Sequence, residues 1–251
     1  IQWLHTINTG LDQLPYLPLV DKGVLLTNNH AQAIAIAEYT LAQVLAHYQD
    51  VAGFRDKQRQ QQWKPHGFRE IHGTHWLIVG FGEIGQELAR RLQAFGARVT
   101  AVRRKPDTAG LADAVVTQQQ LPAVLPTADV VVLACTSNSA TRHMVDAGFL
   151  RAMKQGSVLV NIARGDLVVE SALKDALDAG VPEFAVLDVF EQEPAPAGHW
   201  AWQHPRVALT PHASNAGSGM IARAAETFLD NLARITAGRQ LRNVVTRNDI
   251  L

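Results

Sequence analysis

The sequence has a single cysteine, Cys135, in 251 residues. No internal disulfide can staple the fold, and the chain must rely on a packed core, as suits a reducing compartment. Net charge is missing too: 23 Lys and Arg balance 23 Asp and Glu. That removes the electrostatic reason to expect nucleic acid or an anionic membrane as partner. No stretch approaches the ~20 apolar residues that span a bilayer. Residues 1–10 lack a basic segment followed by an apolar core, so no secretion signal is expected and the cytoplasm is the expected compartment. What is present is apolar material, 47% of the chain with only 18% charged, enough to bury a substantial core in one large domain or two modest ones. Cys135 ends an apolar run and reads as a buried thiol rather than a nucleophile.

Short apolar, β-branched runs at 24–27, 76–79, 98–102, 130–134, 158–162, 184–187 and 207–209 read as strands. Apolar stripes at helical spacing cover 30–48, 84–95, 140–149, 170–179 and 217–236. Continuous apolar strands alternating with helices predict an α/β fold, a parallel sheet covered on both faces. The Gln-rich stretch 57–65 reads as a solvated helix end or loop. The opening IQWLHTI is strand-like with nothing before it to pair with, so the N-terminal region is expected to be incomplete.

The strongest local motif is G-x-G-x-x-G, formed by Gly80, Gly82 and Gly85 between a strand and a helix. Gly80 permits the tight turn, Gly82 lets a pyrophosphate approach the backbone, and Gly85 allows close packing of helix on strand. The free N–H groups near Glu83 and Ile84 would hold the phosphates. Without the flanking strand and helix the same glycines would be an ordinary turn. An NAD site would place an acidic residue about 20 residues further on, for the ribose 2′-hydroxyl. Here Arg103, Arg104 and Lys105 follow the strand. Guanidinium groups pair with a 2′-phosphate that a carboxylate would repel, so NADP(H) is predicted over NAD(H), with NAD(H) possible.

Three further strands end in polar groups: Arg164-Gly165 after the first, Asp188 through Glu193-Pro194 after the second, and Thr210-Pro211-His212 after the third. Ligands of open α/β sheets bind beyond these carboxyl ends. Hydride transfer to a ketone needs a proton donor, for which His212 is suited. Glu193 would orient the imidazole and favour its protonated form. Arg164 can pair with a substrate carboxylate and polarise the 2-oxo group, and Asp188 can accept from a nicotinamide carboxamide. Singly, each residue also fits a bland role as a surface histidine, a loop charge or a turn; the shared sheet edge joins them.

Gly80 to Gly85, the segments 161–165 and 187–194, and Thr210-Pro211-His212, in this order, resemble the D-isomer-specific 2-hydroxyacid dehydrogenases. Thr9-Gly10-Leu11-Asp12, Ala37-Glu38-Tyr39, Thr141-Arg142-His143-Met144 and Trp202 match as well. The resemblance implies a Rossmann-type, doubly wound dinucleotide-binding domain over 28–214. A smaller, flavodoxin-like substrate domain would be made from 1–27 and 215–251, with hinges near Thr27-Asn28 and Ser214-Asn215 and the active site between the two. It implies that Arg164, Glu193 and His212 are catalytic and that Thr9, Gly10 and Leu11 cradle the substrate carboxylate near Arg164 and His212. Cofactor contacts would come from the glycine turn with Glu83 and Ile84, and from Thr136, Ile162, Ala163, Asp188, His212 and Ser214. No metal is expected in the site. A homodimer is implied, with the long helix beginning near Asn29 at its interface. Thr136 and Asn138 depart from the Pro and Thr usual in that loop. Arg103 stands at the usual acidic position, which resembles the NADP(H)-using glyoxylate and hydroxypyruvate reductases. The alternatives are an NAD-linked D-3-phosphoglycerate or D-lactate type dehydrogenase and a nucleotide-sensing, corepressor-like binding protein. Family members also carry a strand–helix region before the segment matching Ile1.

Overall fold

Valine- and leucine-rich runs, each too short for a helix, fold into strands, and the amphipathic stretches between them cover the sheet they make. The computed structural model describes residues 1–11, 14–104 and 110–250. β1 (Trp3–His5) and β2 (Leu25–Thr27) are parallel neighbours separated in sequence by α1 (Leu17–Asp21). α2 (Ala33–Tyr48) and α3 (Val51–Arg59) lead into the main sheet. Its strands are β3 (His75–Val79), β4 (Arg98–Val102), β5 (Ala114–Val116), β6 (Val130–Leu133), β7 (Val158–Asn161), β8 (Phe184–Leu187) and β9 (Val207–Leu209). Between them lie α4 (Glu83–Ala94), α5 (Leu121–Val124), α6 (Ala147–Ala152) and α7 (Glu170–Ala179). α8 (Met220–Thr236), β10 (Val244–Val245), antiparallel to β2, and α9 (Arg247–Ile250) complete the described chain.

The main sheet has the order β5-β4-β3-β6-β7-β8-β9, all pairs parallel. The order reverses between β3 and β6, the switch point where such sheets bind nucleotides. Side chains alternate between faces. Leu77, Val79, Val131, Leu133, Leu159 and Leu187 pack with Leu121 and Leu125, with Phe149 and Leu150 of α6, and with Leu173 and Leu177 of α7. Trp76, Ile78, Val130, Val132, Val158 and Val160 pack on the other face with Ile36, Ala37, Leu41 and Val44 of α2 and with Leu88, Ala89 and Leu92 of α4. Burial of both faces explains why these strands are apolar throughout rather than alternating.

The chain forms two compact units, Ile1–Ala35 with Asn215–Leu251, and Ile36–Ser214. The first boundary thus falls at Ala35/Ile36, later than the expected Thr27-Asn28. Hydrogen bonds explain it: Asn28 N donates to Asn243 O (3.1 Å), Asn29 Nδ2 to Ala224 O (3.2 Å) and Arg223 Nε to Ala31 O (3.0 Å). Residues 28–31 are therefore tied to the C-terminal segment. The smaller unit has its own core of Tyr16, Leu26 and Val245.

One expected helix, over 140–149, starts seven residues late, at Ala147. Over 140–149 the chain first makes a turn, in which Asn138 Oδ1 accepts Ala140 N (2.9 Å) and Asn138 N donates to Thr141 Oγ1 (2.9 Å). These side chains compete with helical hydrogen bonds. His143 is left-handed at φ 54, and α6 starts only after Asp146, whose carboxylate caps Phe149 N at 2.9 Å. Six elements, α1, α3, α5, α9, β5 and β10, lie outside the expected ranges; α1, α5, α9 and β10 are at most five residues long. β5 is three residues long and α3 buries no residue, so neither carries a strong periodic signal.

Candidate active site

The glycine turn lies at the carboxyl end of β3. Gly80 has φ 97, and a Cβ there would sit 2.5 Å from the Ala134 carbonyl carbon. Both the backbone conformation and the close approach of the β6 end demand glycine. At Gly85 a Cβ would meet Gly80 O at 2.7 Å, so α4 packs directly on the turn. Gly82 is the N-cap of α4 with no side-chain cap, and nothing lies within 4 Å of where its Cβ would be. The first amides of α4, at the exposed Glu83 and half-buried Ile84, thus face open space with the positive end of a helix dipole behind them. These features fit a dinucleotide pyrophosphate.

Arg103 and Arg104 follow β4, whose Val102 is level with Val79 of β3. Arg103 N donates to Val116 O (3.0 Å), fixing its backbone beside β5, and its side chain is half-buried. Arg104 is exposed. Lys105, also expected to meet a 2′-phosphate, lies outside the described residues.

The strand ends are level across the sheet. Val79 is opposite Leu133, Leu133 opposite Asn161, Asn161 opposite Leu187, and Leu187 opposite Leu209. Arg164, Asp188 and His212 therefore leave the same edge from adjacent strands. His212 Nδ1 donates to Glu193 Oε2 at 2.7 Å, and Glu193 Oε1 accepts Phe190 N at 3.0 Å. A carboxylate only accepts, so the Nδ1 proton is spoken for and Nε2 is the atom that can exchange one with a substrate. Arg164 is held at its backbone, where buried Asn161 Nδ2 donates to Arg164 O (2.8 Å), and at its side chain, where Nη1 donates to Ala163 O (2.7 Å). A Cβ on the next residue, Gly165, would lie 1.9 Å from the Phe190 carbonyl carbon. The Arg164 turn thus abuts the loop that carries Glu193.

Asp188, fully buried, does more than the sequence suggested. Its Oδ1 accepts Thr210 Oγ1 (2.6 Å), Ala213 N (2.8 Å) and Ser214 N (3.2 Å), while Oδ2 accepts Ser214 N (3.1 Å). His212 N donates to Asp188 O (2.8 Å). This network holds His212 at φ 51, a strained conformation for a residue with a side chain. Tyr39 and Thr210 enter here, residues with no expected site role. Tyr39 OH meets Thr210 Oγ1 at 2.6 Å, and burial pushes the phenol up to about 12, with the Thr210 bond opposing and the Asp188 charge adding.

Of the other expected cofactor residues, Ile162 and Ala163 are buried at the β7 end. Ser214 is buried with its amide on Asp188. Thr136 is exposed, its carbonyl accepting Thr141 Oγ1 (2.7 Å). Burial raises the Cys135 thiol to about 11, consistent with the inert reading. In the smaller unit, the Thr9-Gly10-Leu11 segment is half-buried: Thr9 Oγ1 donates to Asn29 O (2.8 Å) and Asn28 Nδ2 to Thr9 O (3.1 Å).

Comparison with known proteins matches residues 41–214 to the family model for the NAD binding domain of D-isomer specific 2-hydroxyacid dehydrogenases. Glyoxylate/hydroxypyruvate reductase A of Serratia proteamaculans is 29% identical over 232 residues, covering 92% of this chain and 71% of that protein. D-3-phosphoglycerate dehydrogenase of Mycobacterium tuberculosis is 34% identical over 206 residues, covering 81% of this chain and 39% of that protein. Among solved structures, an NADPH-dependent glyoxylate/hydroxypyruvate reductase of Sinorhizobium meliloti, in complex with NADP and sulfate, superposes with a TM-score of 0.86 at 25% identity. It covers 100% of this chain and 80% of that one.

Proposed function

The chain belongs to the D-isomer specific 2-hydroxyacid dehydrogenase family, and from that premise we propose that it is an NADP(H)-dependent reductase of small 2-oxo acids, with glyoxylate or hydroxypyruvate as substrate. The observation that carries the proposal is the 2.7 Å His212–Glu193 contact on the sheet edge that also bears the glycine turn.

The bound nicotinamide would supply a hydride to the C2 carbon. His212 gives its Nε2 proton to the oxygen that becomes the 2-hydroxyl. Its Nδ1–H stays on Glu193, so the ring keeps one orientation throughout and is left as the neutral Nδ1–H tautomer. The imidazole, 31% exposed, regains its proton from solvent. Arg164 pairs with the substrate carboxylate and draws charge from the 2-oxo group. Thr9, Gly10 and Leu11 are proposed as the backbone cradle for the same carboxylate, on the strength of the family resemblance. Gly80, Gly82, Glu83, Ile84 and Gly85 would hold the pyrophosphate, and Thr136, Ile162, Ala163, Asp188 and Ser214 the remainder of the cofactor.

The family model is described as NAD binding and a solved relative is NADPH-dependent, so the proposed cofactor preference rests on Arg103 and Arg104 at the β4 end. The test is a panel of glyoxylate, hydroxypyruvate, pyruvate, phenylpyruvate and branched 2-oxo acids, each run with NADPH and NADH. Faster NADPH oxidation with the two smallest acids is the expected outcome. A strong NADH preference would favour the phosphoglycerate-type reading, and no turnover with either cofactor a nucleotide-sensing role.

We also propose a homodimer. Val51, Phe54, Trp63 and Phe68 are exposed apolar side chains on and after α3, adjoining α2, and sedimentation should give twice the chain mass. Among the described residues no helix is long and apolar enough to cross a membrane. The cytoplasm is kept as the proposed compartment on the sequence reading, and fractionation of the producing cell tests it.

A further inference from the structure

Glu193 sits on an exposed loop, yet its carboxylate must be aimed at one nitrogen. Its side chain is 36% exposed, and residues 191–194 are all exposed. A hold from outside the loop is therefore required, and the structure supplies one away from the reacting groups.

His199 Nε2 lies 2.8 Å from Glu170 Oε2, and the two side chains are 11% and 22% exposed. His199 Nδ1 accepts Ala201 N at 3.3 Å, which leaves the ring proton on Nε2, donated to Glu170. The other oxygen of Glu170 accepts Glu191 N at 3.0 Å. The Phe190 ring meets the His199 imidazole edge-on, at 5.3 Å and 78°. On its other side the Phe190–Glu191 peptide is wedged against Gly165. Phe190 N in turn donates to the Glu193 carboxylate that holds His212. Two successive amides, Phe190 and Glu191, are thus each bound by a carboxylate, one facing the proposed acid and one facing away.

We propose that Glu170 and His199 are a positioning pair: they fix the Phe190–Glu191 peptide and so aim Glu193 at His212, without touching substrate or cofactor. The proposal rests on the reductase reading for its kinetic test and on no activity at all for its spectroscopic one. The plainer alternative is that Glu170, in the first turn of α7, serves that helix alone by facing its dipole.

In the kinetic arm, Glu170→Ala should lower kcat about tenfold, short of the roughly 10²-fold that a 1 Å misplacement of a reacting group costs. KM for the 2-oxo acid and for NADPH should stay within about twofold. Glu170→Gln, which keeps an acceptor for Glu191 N, should recover most of the rate. In a Glu193→Ala background Glu170→Ala should have no further effect, because the group it aims is gone. His199→Phe, which keeps the packing on Phe190, should act in the same direction as Glu170→Ala.

In the spectroscopic arm, protein with 15N-labelled histidine reports the His212 Nδ1–H directly. Its hydrogen-bonded proton resonance should broaden or move upfield in Glu170→Ala and His199→Phe. An unchanged His212 resonance in both variants, or equal losses of kcat with and without Glu193, would overturn the proposal even if melting temperature fell. Absence of turnover in the unmodified protein would instead sink the reductase reading and leave the resonance test to judge the pair.

Discussion

Two turns on the same sheet edge, after β3 and after β9, are built by opposite means. After β3 the turn is defined by missing side chains: Gly80 lets two strand ends touch, Gly85 lets a helix touch the turn, and Gly82 leaves open space. After β9 the turn is defined by side chains: Asp188 gathers Thr210, Ala213 and Ser214 around His212, and Glu193 fixes the ring. The difference follows from what each end must do. A phosphate is recognised by backbone N–H groups and needs room. A proton donor must point at one atom and needs partners that remove its rotational freedom.

The comparison breaks first at the proposed acid. His212→Ala should reduce kcat by ~10²-fold or more, with much smaller changes in either KM, measured as steady-state NADPH oxidation with glyoxylate. Retained turnover would mean that the side-chain-built end is structural only. At the glycine-built end, two alanines separate room for the chain from room for the ligand. Gly80→Ala forces a Cβ 2.5 Å from backbone at φ 97, and the conformation alone costs roughly 1–3 kcal/mol. Both the melting temperature and NADPH affinity should fall clearly. Gly82→Ala meets no protein atom within 4 Å and has an extended backbone, φ −80 and ψ −158. Its melting temperature should hold while NADPH binding weakens about tenfold, or ~1.4 kcal/mol. Equal NADPH affinity in Gly82→Ala and the unmodified protein would show that the open space is not where phosphates sit.

Sequence legibility divides along the same line. The glycine end is local: three glycines within six residues, a strand before and a helix after, all readable from one short segment. β4, β8 and β9 have the bounds expected of them because their apolar runs are sharply flanked. The histidine end joins residues far apart. Tyr39 reaches Thr210 across 171 positions and Thr210 reaches Asp188 across 22, and no periodicity marks such pairs. The Asp188 reading as a cofactor acceptor missed its structural load for this reason. The misread helix over 140–149 failed locally instead. Its apolar spacing was helical, but Asn138 and Thr141 offered the backbone other partners, and Asp146 was the readable N-cap that placed the true start.

On the far side of β3 from β9, at the end of β4, lies the choice of cofactor. Arg103 is held by its amide to Val116 at the β4 end, so Arg103→Asp should change charge without unfolding the strand. The ratio of kcat/KM with NADPH to that with NADH should fall by ~tenfold, or ~1.4 kcal/mol. A ratio unmoved by the substitution would place 2′-phosphate recognition elsewhere.

The smallest expected effect tests how far the side-chain-built end extends. Tyr39 touches none of the proposed reacting groups; its hydroxyl donates to Thr210 Oγ1, whose own proton goes to Asp188 Oδ1. With the phenol pushed up to about 12 by burial, it stays neutral, and no ionisation of Tyr39 contributes to rate or stability between about pH 6 and 9. Tyr39→Phe deletes one neutral hydrogen bond and keeps the ring in the core, so it should cost about 1 kcal/mol of stability, or roughly 2–4 °C in a chain of this size. kcat should fall by no more than about threefold, since Asp188 still binds Thr210 and both following amides and the His212 turn keeps most of its anchors. Thermal melts and steady-state rates measured together decide the matter. A kcat loss approaching that of His212→Ala, with little change in melting temperature, would show the phenol to be an essential part of the acid's support. The glycine-built and side-chain-built ends would then differ even more in reach than the distances suggest, since a residue of α2 would help set the chemistry at β9.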